Sequence, residues 1–481
     1  VNLVVSLSDS RYEMIGYEGG LKLINFFAVH NIDFNKAWKA KQSGWHDQTR
    51  AIFANAAIGW KSMFNMTASG RNDWDSTMAF SDYQSFFYPS IGLSAILTSM
   101  FNAPDWLTYL KVRGSYTEVG NSYGRFMTTV TYPYDEQTQS WTSTSSYPNT
   151  KLKPERTKSW EVGLDARILN DISLNLTYYR SNTYNQTFYA DLSLSSGYSN
   201  IPIQSGNIMN EGLEMSLGYN KQWKDFSFNT NYTLTWNKNR VKRLADGVYN
   251  YATGQPIQMP ELSPLTYGHT DARLILRVGG SMGDVYGQRL LKRDLNGYIL
   301  NEEGVGLAME NKETYLGSIL PKTNMGWSLG FGYKGVKLGM TFIGRFGGIV
   351  ISETQSVLDA AGVSKVSADV RDAGGVQINQ SKVYAQTYYQ TIQGTTAYYT
   401  YSATNVRLGE LSLSYTLPKK WFDNKVGMTV GLVGKNLWMI YCKAPFDPEL
   451  TTSAASNFYQ GFDAYMLPST RNFGFNVKFQ F

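Results

Sequence analysis

Glu211 and Glu214, in NEGLEMSL, are a carboxylate pair of the kind that works as acid and base on a glycosidic bond. In an extended chain a three-residue offset sends the two to opposite faces, so they cannot flank one bond. Gly279, Gly280 and Gly283 in RVGGSMGDVYG suggest a phosphate cradle, but the strand-to-helix context is missing. His30, His46 and His269 are scattered and sit in no motif. The single cysteine, Cys442, excludes an intramolecular disulfide framework and a multi-cysteine zinc site. No nucleophile with its base results, and the chain is read as a non-enzyme.

The other candidates bind rather than react. Asp447 and Glu449 flank the rigid Pro448 in DPEL. Two carboxylates so held suit a structural calcium ion or a partner, and a turn with solvated charges fits the same residues. Asp294, Asn296 and Gly297 in RDLNGY lack the rest of a calcium-loop pattern and read as a turn. Apart from that calcium, no metal or cofactor is expected. Trp141 and Tyr147 in one polar stretch, and Tyr384, Tyr388, Tyr389, Tyr398 and Tyr399 in another, offer rings for stacking on sugar or peptide groups. Packing of the loops against each other or against a lid protein explains the same rings.

These residues need a scaffold, and composition narrows it. Charged residues make up 17% of the 481 positions, and aromatic residues 15%. No stretch reaches the roughly 18 consecutive apolar residues of a membrane helix. The formal charge of +6 is dispersed, and no basic run resembles a nucleic-acid patch. Order comes from strict alternation. In RNFGFNVKFQF, Phe473, Phe475, Val477, Phe479 and Phe481 share one face, opposite Asn472, Gly474, Asn476, Lys478 and Gln480. Trp160, Val162, Leu164 and Ala166 oppose Glu161, Gly163, Asp165 and Arg167 in the same way. A period of two is an extended strand with one apolar and one polar face.

The pattern places strands at about 48–59, 62–72, 85–98, 107–118, 155–168, 172–186, 209–221, 226–239, 322–334, 336–347, 404–416, 425–438 and 468–481. Tight turns alternate with long links at roughly 119–154, 187–208, 240–321, 348–403 and 439–467. Such length, aromatic residues near strand ends and this alternation of connections favour a transmembrane antiparallel β-barrel over a soluble sandwich. Short turns then mark the periplasmic side, and Gly409-Glu410 reads as a bulge. Residues 1–47 read as an extracellular loop segment and 48–481 as barrel. The sheet so counted has thirteen strands, an odd number that would leave bare edges in lipid. The chain, which opens VNLVVSLSDS without methionine, is therefore expected to be the C-terminal part of a larger barrel completed by further polypeptide.

MTASGRNDWDST with SFFYPSIGLSAIL, and LTYLKVRGSYTEVGN at 107–121, resemble the barrel of SusC-like (RagA-like) TonB-dependent transporters of Bacteroidetes. LKPERTKSWEVGLDARIL, GNIMNEGLEMSLGY, SATNVRLGELSLSYTLPKKW, DPEL and LPSTRNFGFNVKFQF continue that series in family order. The resemblance implies an all-β, 22-stranded barrel around a plug. This chain would hold about thirteen of those strands, with the plug absent. It further implies residence in the bacterial outer membrane, energy from TonB through the missing N-terminal part, and a SusD-like surface lipoprotein as partner. The expected activity is active import of an oligomeric nutrient, glycan or peptide; no nucleic acid is involved. A passive porin-like or adhesin barrel and a soluble carbohydrate-binding β-protein stay open as alternatives.

Overall fold

The computed structural model describes residues 1–135, 140–142, 144–244, 254–255, 261–268, 270–302, 306–423, 425–450, 452 and 459–481. Fourteen strands form one antiparallel sheet in simple up-and-down order. They are β1 (Asn2–Gly19), β2 (Trp38–Trp60), β3 (Phe64–Asp75), β4 (Ser85–Ile96), β5 (Leu107–Asn121), β6 (Glu155–Ile168) and β7 (Ile172–Asp191). They continue as β8 (Asn200–Trp223), β9 (Phe226–Arg243), β10 (Thr323–Tyr333), β11 (Val336–Phe346), β12 (Asn405–Thr416), β13 (Gly427–Cys442) and β14 (Asn472–Gln480). The order starts at β1 and ends at β14, and among the described residues no pairing joins these two edges. No described helix is long and apolar enough to cross a membrane, which leaves strand-built crossing untouched.

One sequence expectation is corrected here. Residues 1–47 are not all loop: from Asn2 onward they are strand outside the link at 20–37, and β1 pairs with β2 along its whole length, from Asn2 opposite Asn55 to Gly19 opposite Trp38. The sheet thus has fourteen strands where thirteen were expected. The reason lies in how far this hairpin reaches. β3 accompanies β2 only between Thr49 and Trp60, so the outer half of the hairpin rises past its neighbour. There Asp9, Arg11 and Glu13 replace the apolar row of Leu3, Val5 and Leu7, and the alternation fades where no greasy solvent demands it.

The short turns follow from residues that tolerate a left-handed backbone. Leu169 and Asn170, at φ 52° and 59°, join β6 to β7, and Lys334 and Gly335, at 44° and 89°, join β10 to β11. Two successive positive φ values match the right-handed twist of the flanking strands. The bulge expected near Gly409 is present: Glu410 faces Thr341, Leu408 faces Phe342, and Gly409 has no partner of its own.

At the opposite end the long links fold into a cap. Glu261–Thr266, Arg273–Arg277, Asp284–Leu291 and Met309–Ser318 form a four-stranded sheet between β9 and β10. Between β11 and β12 lie three helices, α1 (Glu353–Ala360), α2 (Lys365–Asp372) and α3 (Ala385–Ile392). Ile349–Ser352 pairs with Thr400–Ser402 and, in parallel, with Phe462–Asp463 from the link after β13. One core holds these pieces to the strand tops: Phe188, Ile201, Ile208 and Val241 pack with Leu274, Leu276, Val285, Ile319, Ile351 and Phe462, all buried. Burying side chains of this size contributes roughly 1.5–3 kcal/mol each, enough to make the links a folded body.

Candidate functional site

The cap sorts the expected aromatic residues into two groups. Tyr389 and Tyr399 are buried with Leu291, Leu307, Ile378 and Ile392, and Tyr388 and Tyr398 pack against that cluster. The Leu291 N–H donates to the Tyr398 hydroxyl at 3.1 Å, and the Tyr388 and Tyr389 rings meet edge-on at 5.3 Å. Burial raises the Tyr388 and Tyr389 phenols above their ordinary range, and pushes neighbouring Tyr401 up to about 12. These four rings hold α3 to the four-stranded sheet. Tyr147 is likewise packed, edge-on to Tyr198 at 5.1 Å. Trp141 and Tyr384 differ, being 70% and 83% exposed. Trp141 stands against Tyr134 with centroids 5.0 Å apart, leaving an indole face open.

Asp447 and Glu449 are brought together with a residue the sequence did not single out. Arg407 leaves β12 beside the bulge and donates from Nη1 and Nη2 to the two oxygens of Asp447 at 2.9 and 2.8 Å. Its Nη2 lies 3.4 Å from Glu449, whose carboxylate also accepts from Asn405 Nδ2 at 3.1 Å. Both side chains of the Arg407–Asp447 pair are 9% exposed. Burial by itself would raise the Asp447 carboxyl; the Arg407 guanidinium and the Glu449 N–H outweigh it and hold it below the usual range. The result is a clamp between the last long link and the wall. Among the described residues no three His, Cys, Asp or Glu side chains converge on a metal-sized site. Asp294 accepts from the N–H groups of Asn296 and Tyr298, which makes it the head of a turn.

Glu211 and Glu214 lie on opposite faces of β8, as their spacing requires. Glu211 is 3.7 Å from Lys238 on the apolar side of the wall, and the polar side carries Glu214. That polar side also carries a ladder of charges, with Arg113 3.9 Å from both Glu161 and Asp165 and Lys111 3.8 Å from Asp165. His269 lies outside the described residues. Asp271 and Asp284 escaped the sequence reading. Asp284 is 6% exposed, accepts from Ser281 N–H at 2.8 Å and from the Tyr315 hydroxyl at 3.2 Å, and is raised by burial. Their only local signal was a position beside short apolar runs such as RLILR.

A meander of long strands, short turns at one end and a folded cap at the other define the class of outer-membrane receptor barrels. Residues 20–437 match the family described as TonB dependent receptor-like, beta-barrel, and the chain belongs to that family. Its members are outer-membrane receptors and transporters, not enzymes. The chain is 24% identical over 518 residues to TonB-dependent receptor P3 of Formosa agariphila, a match covering 98% of this chain and 50% of the relative. It is 25% identical over 243 residues to TonB-dependent receptor SusC of Bacteroides thetaiotaomicron, covering 50% of this chain and 22% of SusC. Its fold is similar to that of the RagAB peptide transporter, at TM-score 0.73 and 19% identity, over 99% of this chain and 52% of that one. These likenesses carry the SusC- and RagA-like resemblance. The chain spans about half the length of the curated relatives that it matches over nearly its whole extent.

Proposed function

We propose that this chain supplies wall and external mouth to a TonB-dependent importer of oligomeric nutrients. The observation that carries this reading is the folded cap: long links from β7 to β13 share one core directly above the strand tops. A rigid scaffold bearing a folded loop body is where a receptor presents binding groups. The exposed rings of Trp141 and Tyr384 suit sugar or peptide groups. RagAB, which shares the fold, is a peptide importer, and that favours peptide over glycan. A SusD-like lipoprotein closing over the cap, a plug and the remaining strands completing the sheet edges, and TonB acting through the N-terminal part complete the proposed machine. The lipid bilayer covers the apolar face of the wall.

Cells carrying the full-length gene test the proposal with labelled peptide and labelled oligosaccharide. Uptake of one class that vanishes when TonB is deleted is the expected result. Uptake that survives loss of TonB overturns it in favour of a passive pore.

A further inference from the structure

Cross-strand register sets the outward, apolar face of the wall in order of height. One row is apolar and aromatic: Val162 faces Tyr178, Tyr178 faces Leu213, and Leu213 faces Trp236. Directly above it on the same face the row is charged. It runs from Tyr116 and Trp160 to Arg180, Glu211 and Lys238; the row above it carries Glu118, Lys158 and Arg240, with Arg156 one step higher still. Five cations stand against two carboxylates. Glu118 is 3.1 Å from Arg156 and 3.3 Å from Lys158, and Glu211 is 3.7 Å from Lys238. Arg180 and Arg240 form no ion pair with a described residue.

A cleft opens at the end of this belt. On the side away from β8, β9 pairs with β10 as far as Trp236 opposite Thr323, the Asn237 N–H donates to the Lys322 carbonyl at 3.0 Å, and the backbone is next taken up at Val241, by Gly279 and Gly280 at 2.8 Å. Between those points lies a cleft of about 560 Å3 lined by Trp236, Lys238, Arg240, Ser281, Tyr315 and Lys322. The carboxylate inside it, Asp284, already has both oxygens engaged by Ser281 and Tyr315. What remains on offer is positive charge and an indole at the level where amphipathic rings meet lipid headgroups.

We propose that this cleft and the belt beside it bind the phosphate-bearing headgroup of an anionic outer-leaflet lipid, its acyl chains lying on the apolar wall below Trp236. The arginine fork and the lysine ammonium are the two side chains that recognise phosphate, and the belt's height places them at a headgroup rather than in open water. The inference rests on the reading that the outward face meets lipid.

The test uses the full-length protein in neutral detergent micelles carrying equal phosphatidylglycerol and phosphatidylcholine, with native mass spectrometry reading which lipid is retained. Each cation near a membrane surface is worth about fivefold in binding, so Lys238→Gln with Arg240→Gln lowers the phosphatidylglycerol preference by about 25-fold. Arg240→Lys, which keeps the charge, retains most of it and guards against a folding defect. Equal retention of both lipids by the wild type, or an unchanged preference in the double variant, overturns the proposal. Inorganic phosphate bound in lipid-free micelles without any lipid preference marks a free-anion site and overturns it also. A protein that stays soluble without detergent refutes the membrane reading itself; one that needs detergent yet ignores lipid charge refutes this inference alone.

Discussion

Asp271 and Thr396, 125 positions apart, are joined by two hydrogen bonds: Asp271 Oδ1 accepts from the Thr396 N–H at 2.8 Å and from its hydroxyl at 2.6 Å. The other oxygen, Oδ2, accepts from the N–H groups of Gln288 and Arg289 at 2.9 and 2.7 Å. One carboxylate therefore collects four donors from two different links, and the sheet insertion and the helical insertion become one body.

Replacing Asp271 by Ala strands those four donors. Each donor left buried without a partner costs about 1–3 kcal/mol of cap stability. Hydrogen exchange is expected to accelerate across 385–402 and 284–291 while β10 and β11 stay protected. Equal protection in the variant would show that the apolar core alone holds the two insertions together.

The Arg407–Asp447 clamp has a defined pH response. Because the Asp447 carboxyl titrates below its ordinary value in the folded chain, its contribution is fully present above about pH 4 and is lost as pH falls through the lower folded value. The clamp thus persists through neutral and mildly acidic media. Arg407→Ala leaves a buried carboxylate unpaired and is expected to cost about 3–5 kcal/mol. Proteolysis of the 443–450 segment reads the release, and a double variant with Asp447→Asn should recover part of the loss. Additive losses in that double variant would argue against coupling.

Asp284 answers pH with the opposite sign. Burial raises its carboxyl, so the folded state keeps a proton that the unfolded chain gives up first. Cap stability then declines as pH rises through the ordinary carboxyl range toward the higher folded value. Asp284→Asn, which keeps one acceptor oxygen and cannot ionise, should flatten that decline. A slope unchanged between wild type and variant assigns it to another group.

The wall was legible because lipid and lumen impose opposite demands on successive residues. Trp160, Val162 and Leu164 against Glu161, Gly163 and Asp165 display that demand without help from the structure. β1 was missed where the demand lapses, in the charged outer half from Asp9 upward. The cap was illegible for a different reason. Tyr389 and Tyr399 look like exposed ligand-binding rings in a polar stretch, and only contacts made across the chain, to Leu291 and Leu307, bury them. Arg407 reads as one more polar-face residue of β12 until the fold brings Asp447 to it.

The turn at Lys334-Gly335 gives a paired comparison of backbone strain. Gly335 sits at φ 89°, and a Cβ added there would approach the Thr416 carbonyl oxygen to 2.8 Å. That oxygen accepts nothing flexible from a side chain; it belongs to β12, which pairs with β11 along its length. Neither partner can yield without disturbing the ladder. Gly297, at φ 85° in an outer turn, has nothing within 4 Å of the same added atom. Gly297→Ala should therefore cost only the left-handed penalty, about 1–2 kcal/mol. Gly335→Ala should cost that plus a backbone clash, and should lower the yield of folded, heat-modifiable barrel on gels while Gly297→Ala does not. If the two variants fold equally well, the wall tolerates a shift at its inner turns, and the rigidity assigned to the scaffold beneath the cap is wrong.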